Sequence, residues 1–299
     1  MKQLRLLAAA GTAAFLLTGC SSAADEDAAG DTARMPVTAA FYPLQFAAER
    51  VGGEHVEVTS LTKPGTEPHD LELTPKAVAS LADSRAVVYL AGFQPAVDDA
   101  VRSQAGDAAL DVTPAADLSV LATDSDGSDP HFWLDPVRLA SVATLLGVEF
   151  GERDPENAAE YRANAQALVT ELTRLDDEFR TGLARCESKE LVTGHTAFGY
   201  LAQRYGLGQQ GIAGVSPDSE PDAAALRELS ERVREAGVTT VYAETLVSPA
   251  LAETVARETG ATVAVLDPLE GLSDSSAGSD YLEVMRSNLA TLREGQRCT

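Results

Sequence analysis

The sequence predicts an α/β protein built as two α/β lobes with parallel sheets, joined by one long backbone helix. Three observations predict it. Short β-rich runs alternate with helical stretches in the first half, the same alternation returns in the second half, and between them lies a helical stretch of nearly thirty residues. Strands that alternate with helices form βαβ units and hence parallel sheets. A chain of 299 residues is long enough for two lobes.

In the first half, Val37–Phe41 reads as a strand and Leu44–Val51 as a helix. Val56–Leu61 is the next strand. Thr74 can N-cap a helix that has Pro75 at its first position and runs to about Asp83. Ala86–Leu90 is a buried-type strand, Pro95–Gln104 is helical, Leu110–Val112 is extended and Pro136–Phe150 is helical. Asp154-Pro155-Glu156 then starts the long helix, which continues to about Leu183. Tyr161, Leu168, Leu172, Leu175 and Phe179 recur along it at helical spacing. Its length would be about 40 Å, enough to span a lobe.

The second half carries four βα units. The expected strands are Glu190–Thr193, Gly211–Val215, Val238–Ala243 and Thr262–Leu266. The helices that follow them are Ala197–Tyr205, Pro221–Ala236, Pro249–Thr259 and Ser279–Glu294. The expected organisation is a leader over 1–19, a disordered tether over 20–35, a first lobe over 36–151, the linking helix over 152–184 and a second lobe over 185–299.

The leader is read from Lys2 and Arg5, followed by the apolar run Leu6–Leu17, which is of signal-peptide length and too short to span a membrane. Leu17-Thr18-Gly19-Cys20 resembles the bacterial lipobox, which implies cleavage before Cys20 and lipidation of its sulfur. A lipid chain holds a soluble domain at a membrane by burying methylenes at about 0.8 kcal/mol each. Ser21–Arg34 is small, acidic and without apolar periodicity, as a tether should be. No second stretch of membrane length follows.

The formal charge is −23, and loss of Lys2 and Arg5 with the leader takes two more positive charges away. That excludes nucleic acid as a natural partner, because phosphates demand a basic face. Cys186 and Cys298 remain after Cys20 is assigned to the anchor. In an exported protein two such cysteines most simply pair, with free thiols or thiolate metal ligands as alternatives. A bond closing so long a loop is worth about 4–5 kcal/mol in the chain-entropy picture.

The chain has only four histidines, and three of them sit in Gly- or Pro-marked turns. They are His69 in Gly65-Thr66-Glu67-Pro68-His69-Asp70, His131 in Asp129-Pro130-His131-Phe132-Trp133-Leu134-Asp135-Pro136, and His195 in Val192-Thr193-Gly194-His195-Thr196-Ala197-Phe198. Imidazole is the commonest protein ligand for zinc and related metals. Open α/β sheets gather ligands at the carboxyl ends of their strands, and His69, His195 and Asp267 each follow an expected strand. Three imidazoles and one carboxylate make an N₃O set that suits Zn²⁺ better than Mn²⁺ or Ca²⁺, which want more oxygen. Each residue taken singly has a plainer role open to it. Asp267 before Pro268, in particular, could be a turn former. His55, opening a strand, reads as an exposed side chain.

Together with Ala40-Phe41-Tyr42-Pro43-Leu44 and Val265-Leu266-Asp267-Pro268-Leu269, these segments closely resemble the metal-specific solute-binding lipoproteins of ABC importers, the zinc/manganese family typified by ZnuA and TroA. The resemblance covers nearly the whole mature chain. It implies the TroA-like periplasmic-binding-protein fold, with a metal buried between the lobes and His69, His131, His195 and Asp267 as its ligands. It implies no enzyme and no catalytic residues, but a high-affinity zinc receptor at the extracytoplasmic face of the cell membrane. Such a receptor is a lipid-anchored monomer that delivers Zn²⁺ to the importer permease and its ATPase. A manganese receptor of the same family, or an exported zinc-dependent hydrolase, is the alternative. His195 stands where the manganese branch carries a carboxylate, which favours zinc. The family's His-rich loop is absent: Leu121–Asp129 holds Asp124, Asp126 and Asp129 but no histidine. Glu67, Glu220 and Glu244 are nearby acidic candidates to accept the other N–H of a ligating imidazole, with the choice among them left open.

Overall fold

The computed structural model describes residues 34–119, 129–219 and 221–299. The leader with Cys20, the tether up to residue 33, Asp124, Asp126 and Glu220 lie outside the described residues. Among the described residues no helix is long and apolar enough to cross a membrane.

Two four-stranded parallel sheets carry the fold. The first contains β1 (Met35–Ala39), β2 (Val56–Ser60), β3 (Ala86–Tyr89) and β4 (Ala109–Asp111), in the order β2-β1-β3-β4. The second contains β5 (Glu190–Thr193), β6 (Gly208–Gly211), β7 (Thr240–Ala243) and β8 (Thr262–Val265), in the order β6-β5-β7-β8. The order is the same in both: the first strand pairs with the second on one side and the third on the other, so Val37 lies beside Val58 and Ala86, and Thr193 beside Gly211 and Tyr242. Central strands of parallel sheets are covered on both faces and need continuous apolar runs; β7 is accordingly buried at every residue.

One expected strand is displaced. Gly211–Val215 was the apolar run, yet the strand is Gly208–Gly211, sequence Gly-Gln-Gln-Gly. It is an edge strand, so polar residues serve there, and Glu190↔Gly208 sets its register. Ile212 and Ala213 continue the backbone bonding to Thr193 and Gly194 and carry the chain into a loop.

The linking helix is Ala158–Gly182, 25 residues preceded by a 3₁₀ turn over Pro155–Asn157, and is therefore about 38 Å long. Tyr161, Leu168, Leu172, Leu175 and Phe179 are its buried stripe. Near its start it lies against the helix Pro136–Arg153 so closely that a Cβ on Gly147 would come within 2.7 Å of the Ala165 Cβ. Near its end it lies against the helix Tyr281–Gly295, where a Cβ on Gly182 would come within 3.0 Å of Leu289. One helix thus packs on a terminal helix of each lobe, and the larger of two apolar clusters among the described residues runs from Met35 to Leu292, the smaller gathering around Val241 of β7. Thr74 Oγ1 accepts from the Ala77 amide at 3.2 Å, and Asp135 Oδ1 caps the next long helix through the Val137 amide at 2.9 Å. Cys186 and Cys298 form a disulfide that ties the end of the linking helix to the C-terminal segment.

Candidate metal centre

Four side chains from four loops converge on one point. His69 follows β2, His131 lies between β4 and the helix Pro136–Arg153, His195 follows β5, and Glu270 follows β8. His69 Nε2 is 3.2 Å from His131 Nε2, and His195 Nε2 is 3.3 Å from the same atom. Glu270 Oε1 lies 3.0 Å from His69 Nε2, 2.9 Å from His131 Nε2 and 3.3 Å from His195 Nε2. These four residues form one group with metal-ligand spacing.

Hydrogen bonds and ring contacts hold each of these loops in place. Gly65, at φ +75°, donates its amide to Leu272 O at 2.8 Å, tying the His69 loop to the loop beyond Glu270. Gln94 Nε2 donates to Pro68 O at 3.0 Å, and the His69 ring meets Phe93 edge-on at 4.8 Å. Asp129 Oδ1 accepts from the His131 amide at 2.9 Å and faces its ring Nδ1 at 2.8 Å. Tyr200 donates to Asp129 O at 2.9 Å. Glu244 receives the His195 amide on one oxygen at 2.7 Å and faces Nδ1 with the other at 2.6 Å. Gly194 permits that approach, since a Cβ there would stand 2.6 Å from Glu244 Oε1. With Nδ1 turned to a carboxylate, the Nε2 atoms of His131 and His195 face the shared point.

The carboxylate in this group is Glu270, not the expected Asp267. Asp267 is turned into local structure: its Oδ1 accepts the Leu269 amide at 2.8 Å and its Oδ2 the Ser276 hydroxyl at 3.0 Å. Its backbone is clamped on both sides by Asn288, at 3.0 and 2.7 Å. Leu269 then adopts φ +57°, and Trp133 Nε1 holds Pro268 O at 2.8 Å. The left-handed residue reverses the chain and delivers Glu270 to the histidines. Asp267 serves as a turn former, a role that Asp before Pro performs readily.

Charge follows the same division. Burial raises Asp267, so this carboxyl resists ionisation. Burial pushes Glu270 the same way, but the charge on His195 and hydrogen bonds from His131, His195 and His69 hold it well below the ordinary carboxylate range. Burial, helped by repulsion from His131 and His195, lowers His69 against the pull of Glu270. For His195 the same burial is outweighed by Glu244 and then Glu270, which push it up to about 10; His131 is likewise raised by Asp129 and Glu270. Burial also lifts Glu67 to about 7, while it accepts the His69 amide at 2.9 Å.

The family described as zinc-uptake complex component A, periplasmic (ZnuA), matches residues 37–295. The chain belongs to this family. It is 33% identical over 303 residues to the high-affinity zinc uptake system protein ZnuA of Bacillus subtilis (strain 168), with 94% of each chain covered. It is 34% identical over 286 residues to the zinc-binding protein AdcA of Streptococcus pyogenes serotype M6, but spans only 56% of that protein's length. Among solved structures it is similar to the laminin-binding adhesin Lmb of Streptococcus agalactiae, at 32% identity and a TM-score of 0.80 over 88% of this chain and 99% of that one. It is also similar to the Zn(II)-bound ZnuA-like domain of Streptococcus pneumoniae AdcA, at 34% identity and a TM-score of 0.75 with the same coverage. The expected ZnuA/TroA-like family and fold are those found.

Among the sequence candidates, the structure brings His69, His131 and His195 together and leaves Asp267 aside. Glu270 was missed, although the turn propensity of Asp267-Pro268 was the signal that could have found it. Glu244 was named as an acidic candidate and faces the His195 ring. Asp129 was seen only as a loop acid and proves to be the partner of the His131 ring.

Proposed function

We propose that this chain is the zinc receptor of an ABC metal importer, with Zn²⁺ as its cargo and His69, His131, His195 and Glu270 as the ligands. The observation that carries the reading is the spacing of the four donor atoms, 2.9–3.3 Å wherever two of them are bonded or paired. Zn²⁺ with bonds near 2.0–2.1 Å holds tetrahedral donors about 3.3 Å apart, so a zinc ion fits with movements of a few tenths of an ångström. One divalent cation at the centre of these four donor atoms would bind them all at once. Three imidazoles favour zinc over manganese, which prefers oxygen. Four protein ligands also fill the shell, which suits binding and transfer rather than a catalytic site with an open water position.

In this reading Cys20 is lipidated, residues 20–35 tether the two lobes to the extracytoplasmic face of the membrane, and the monomer hands zinc to a permease driven by an ATPase. The lobes are residues 36–151 and 185–299, with 152–184 between them. The names and Zn(II)-bound state of the relatives support zinc as the cargo.

The test is metal content of the mature chain by native mass spectrometry, beside His195→Ala and Asp267→Ala. One zinc per chain, lost in His195→Ala and retained in Asp267→Ala, is expected. No tightly held metal after zinc is supplied, or a preference for manganese over zinc, overturns the reading.

A further inference from the structure

The fourth histidine also has company. His55 closes the 3₁₀ turn Gly53–His55 just before β2, and the fold sets it against the first turns of the linking helix, 105 residues on. Its Nε2 lies 2.7 Å from Glu160 Oε2. Glu54, His55 and Glu160 each offer a donor atom within 4.8 Å of the others. We propose that these three residues form a second, weaker binding site for a divalent metal of the zinc class, separate from the central one.

The imidazole is prearranged for this. Its side chain is 19% exposed. The ring meets Tyr161 edge-on at 5.9 Å, and the Tyr161 hydroxyl donates to Asp154 Oδ2 at 2.6 Å. Asn164 Nδ2 holds Val51 O at 3.1 Å, which fixes the helix end that leads into the turn. Gly53 adopts φ +56° there, which glycine allows at little cost. His55 Nε2 is thereby presented outward toward two carboxylates, and Asp154 adds a third negative charge nearby. Glu160 is 63% exposed, so its carboxylate can rotate from the present spacing to tetrahedral spacing at little cost. One nitrogen and two carboxylate oxygens leave a position for water, which suits zinc, nickel or copper and a weaker hold than four protein ligands give.

The two metal positions lie at opposite ends of β2, since His55 precedes the strand and His69 follows it in the next loop. A metal on Glu54, His55 and Glu160 would clip the turn before β2 to the linking helix without touching the central ligands.

Isothermal titration of the mature chain, loaded beforehand with one equivalent of zinc, tests this with further Zn²⁺ as the probe. The expected result is a second event of one zinc per chain, weaker than the first, lost in His55→Ala and diminished in Glu160→Gln. Both side chains lie at the surface, and unchanged melting of the variants in chelator establishes that they fold. Zinc uptake in the first equivalent must survive in His55→Ala and fail in His195→Ala, so the two sites report separately. No second event, or one of the same strength in His55→Ala, overturns the proposal and leaves an ordinary His55–Glu160 ion pair.

Discussion

His195 and His69 aim at the same point from opposite circumstances. The His195 side chain has no exposure, and a buried glutamate takes its amide and faces its ring. His69 keeps 8% exposure, its loop acid Glu67 hydrogen-bonds the amide and stays 3.9 Å from the ring Nε2, and its ring rests on Phe93. His131 is of the first kind, with Asp129 in the place of Glu244. Two ligands are therefore rigid, pre-oriented and charged by their neighbours, while the third is neutralised by burial and borders a cavity of about 610 Å³ lined by Gly211, Ile212, Ala213 and Ser216. The comparison teaches that an N₃O site can be assembled from unequal imidazoles, with burial setting the protonation of one and carboxylates that of the others.

The strongest way to break the comparison is His195→Ala. It removes a ligand, so zinc affinity should fall steeply in a competition titration, and it strands the Glu244 carboxylate in the interior, which should cost the fold about 3–5 kcal/mol as for a broken buried pair. His69→Ala orphans no ring-bonded acid and should cost less in the same competition titration. Equal losses would erase the distinction.

The next largest effect separates the two carboxylates. Glu270→Gln should weaken zinc by about 2 kcal/mol, on the scale of a charge-assisted contact. Asp267→Asn should leave affinity nearly unchanged and show its effect in thermal unfolding, because it alters a turn. The reverse pattern would restore Asp267 as the ligand.

Glu244→Gln keeps the shape beside His195 but removes the charge. Partners that orient ligating histidines are typically worth about 10–100-fold in metal affinity, and that range is expected by chelator competition. Glu67→Gln, whose hydrogen bond to His69 goes to the amide and whose nearest oxygen stands 3.9 Å from the ring Nε2, should change it by less.

The most diagnostic effect is that of pH. In the metal-free protein His195 is raised to about 10, above its ordinary 6.5, so its ion pairs stabilise the fold fully below about 6.5 and are lost as pH rises toward 10. Glu270 is depressed, so its contribution holds above its ordinary 4.5 and fades as pH falls through its folded value. Zinc must displace the His195 proton, so affinity should rise about tenfold per pH unit for each proton released, from pH 6.5 toward 9. Melting curves with and without zinc should therefore diverge as pH rises. Parallel curves would show that His195 is already neutral.

Much of the fold was legible because its signals are local. Alternation of short apolar runs with helical stretches, Thr74-Pro75 as a helix start and the stripe from Tyr161 to Phe179 depend only on near neighbours in sequence. Strand β6 was misplaced by a few residues because an edge strand need not be apolar, and the apolar run beside it serves a loop. The three histidines were legible because they are scarce and stand in turns.

The sequence by itself determined the alternation of elements, the long helix, and an imidazole in each of three loops, two of them at strand ends. Only the tertiary structure decided which carboxylate joins them. That choice rests on the left-handed backbone of Leu269, on Asn288 gripping Asp267 from 21 residues away and on Trp133 holding Pro268 from the other lobe. It also decided the protonation of His195, through a glutamate 49 residues distant. A side chain's direction and charge are set by what surrounds it in space, and contacts made across tens of residues leave no periodicity in the chain.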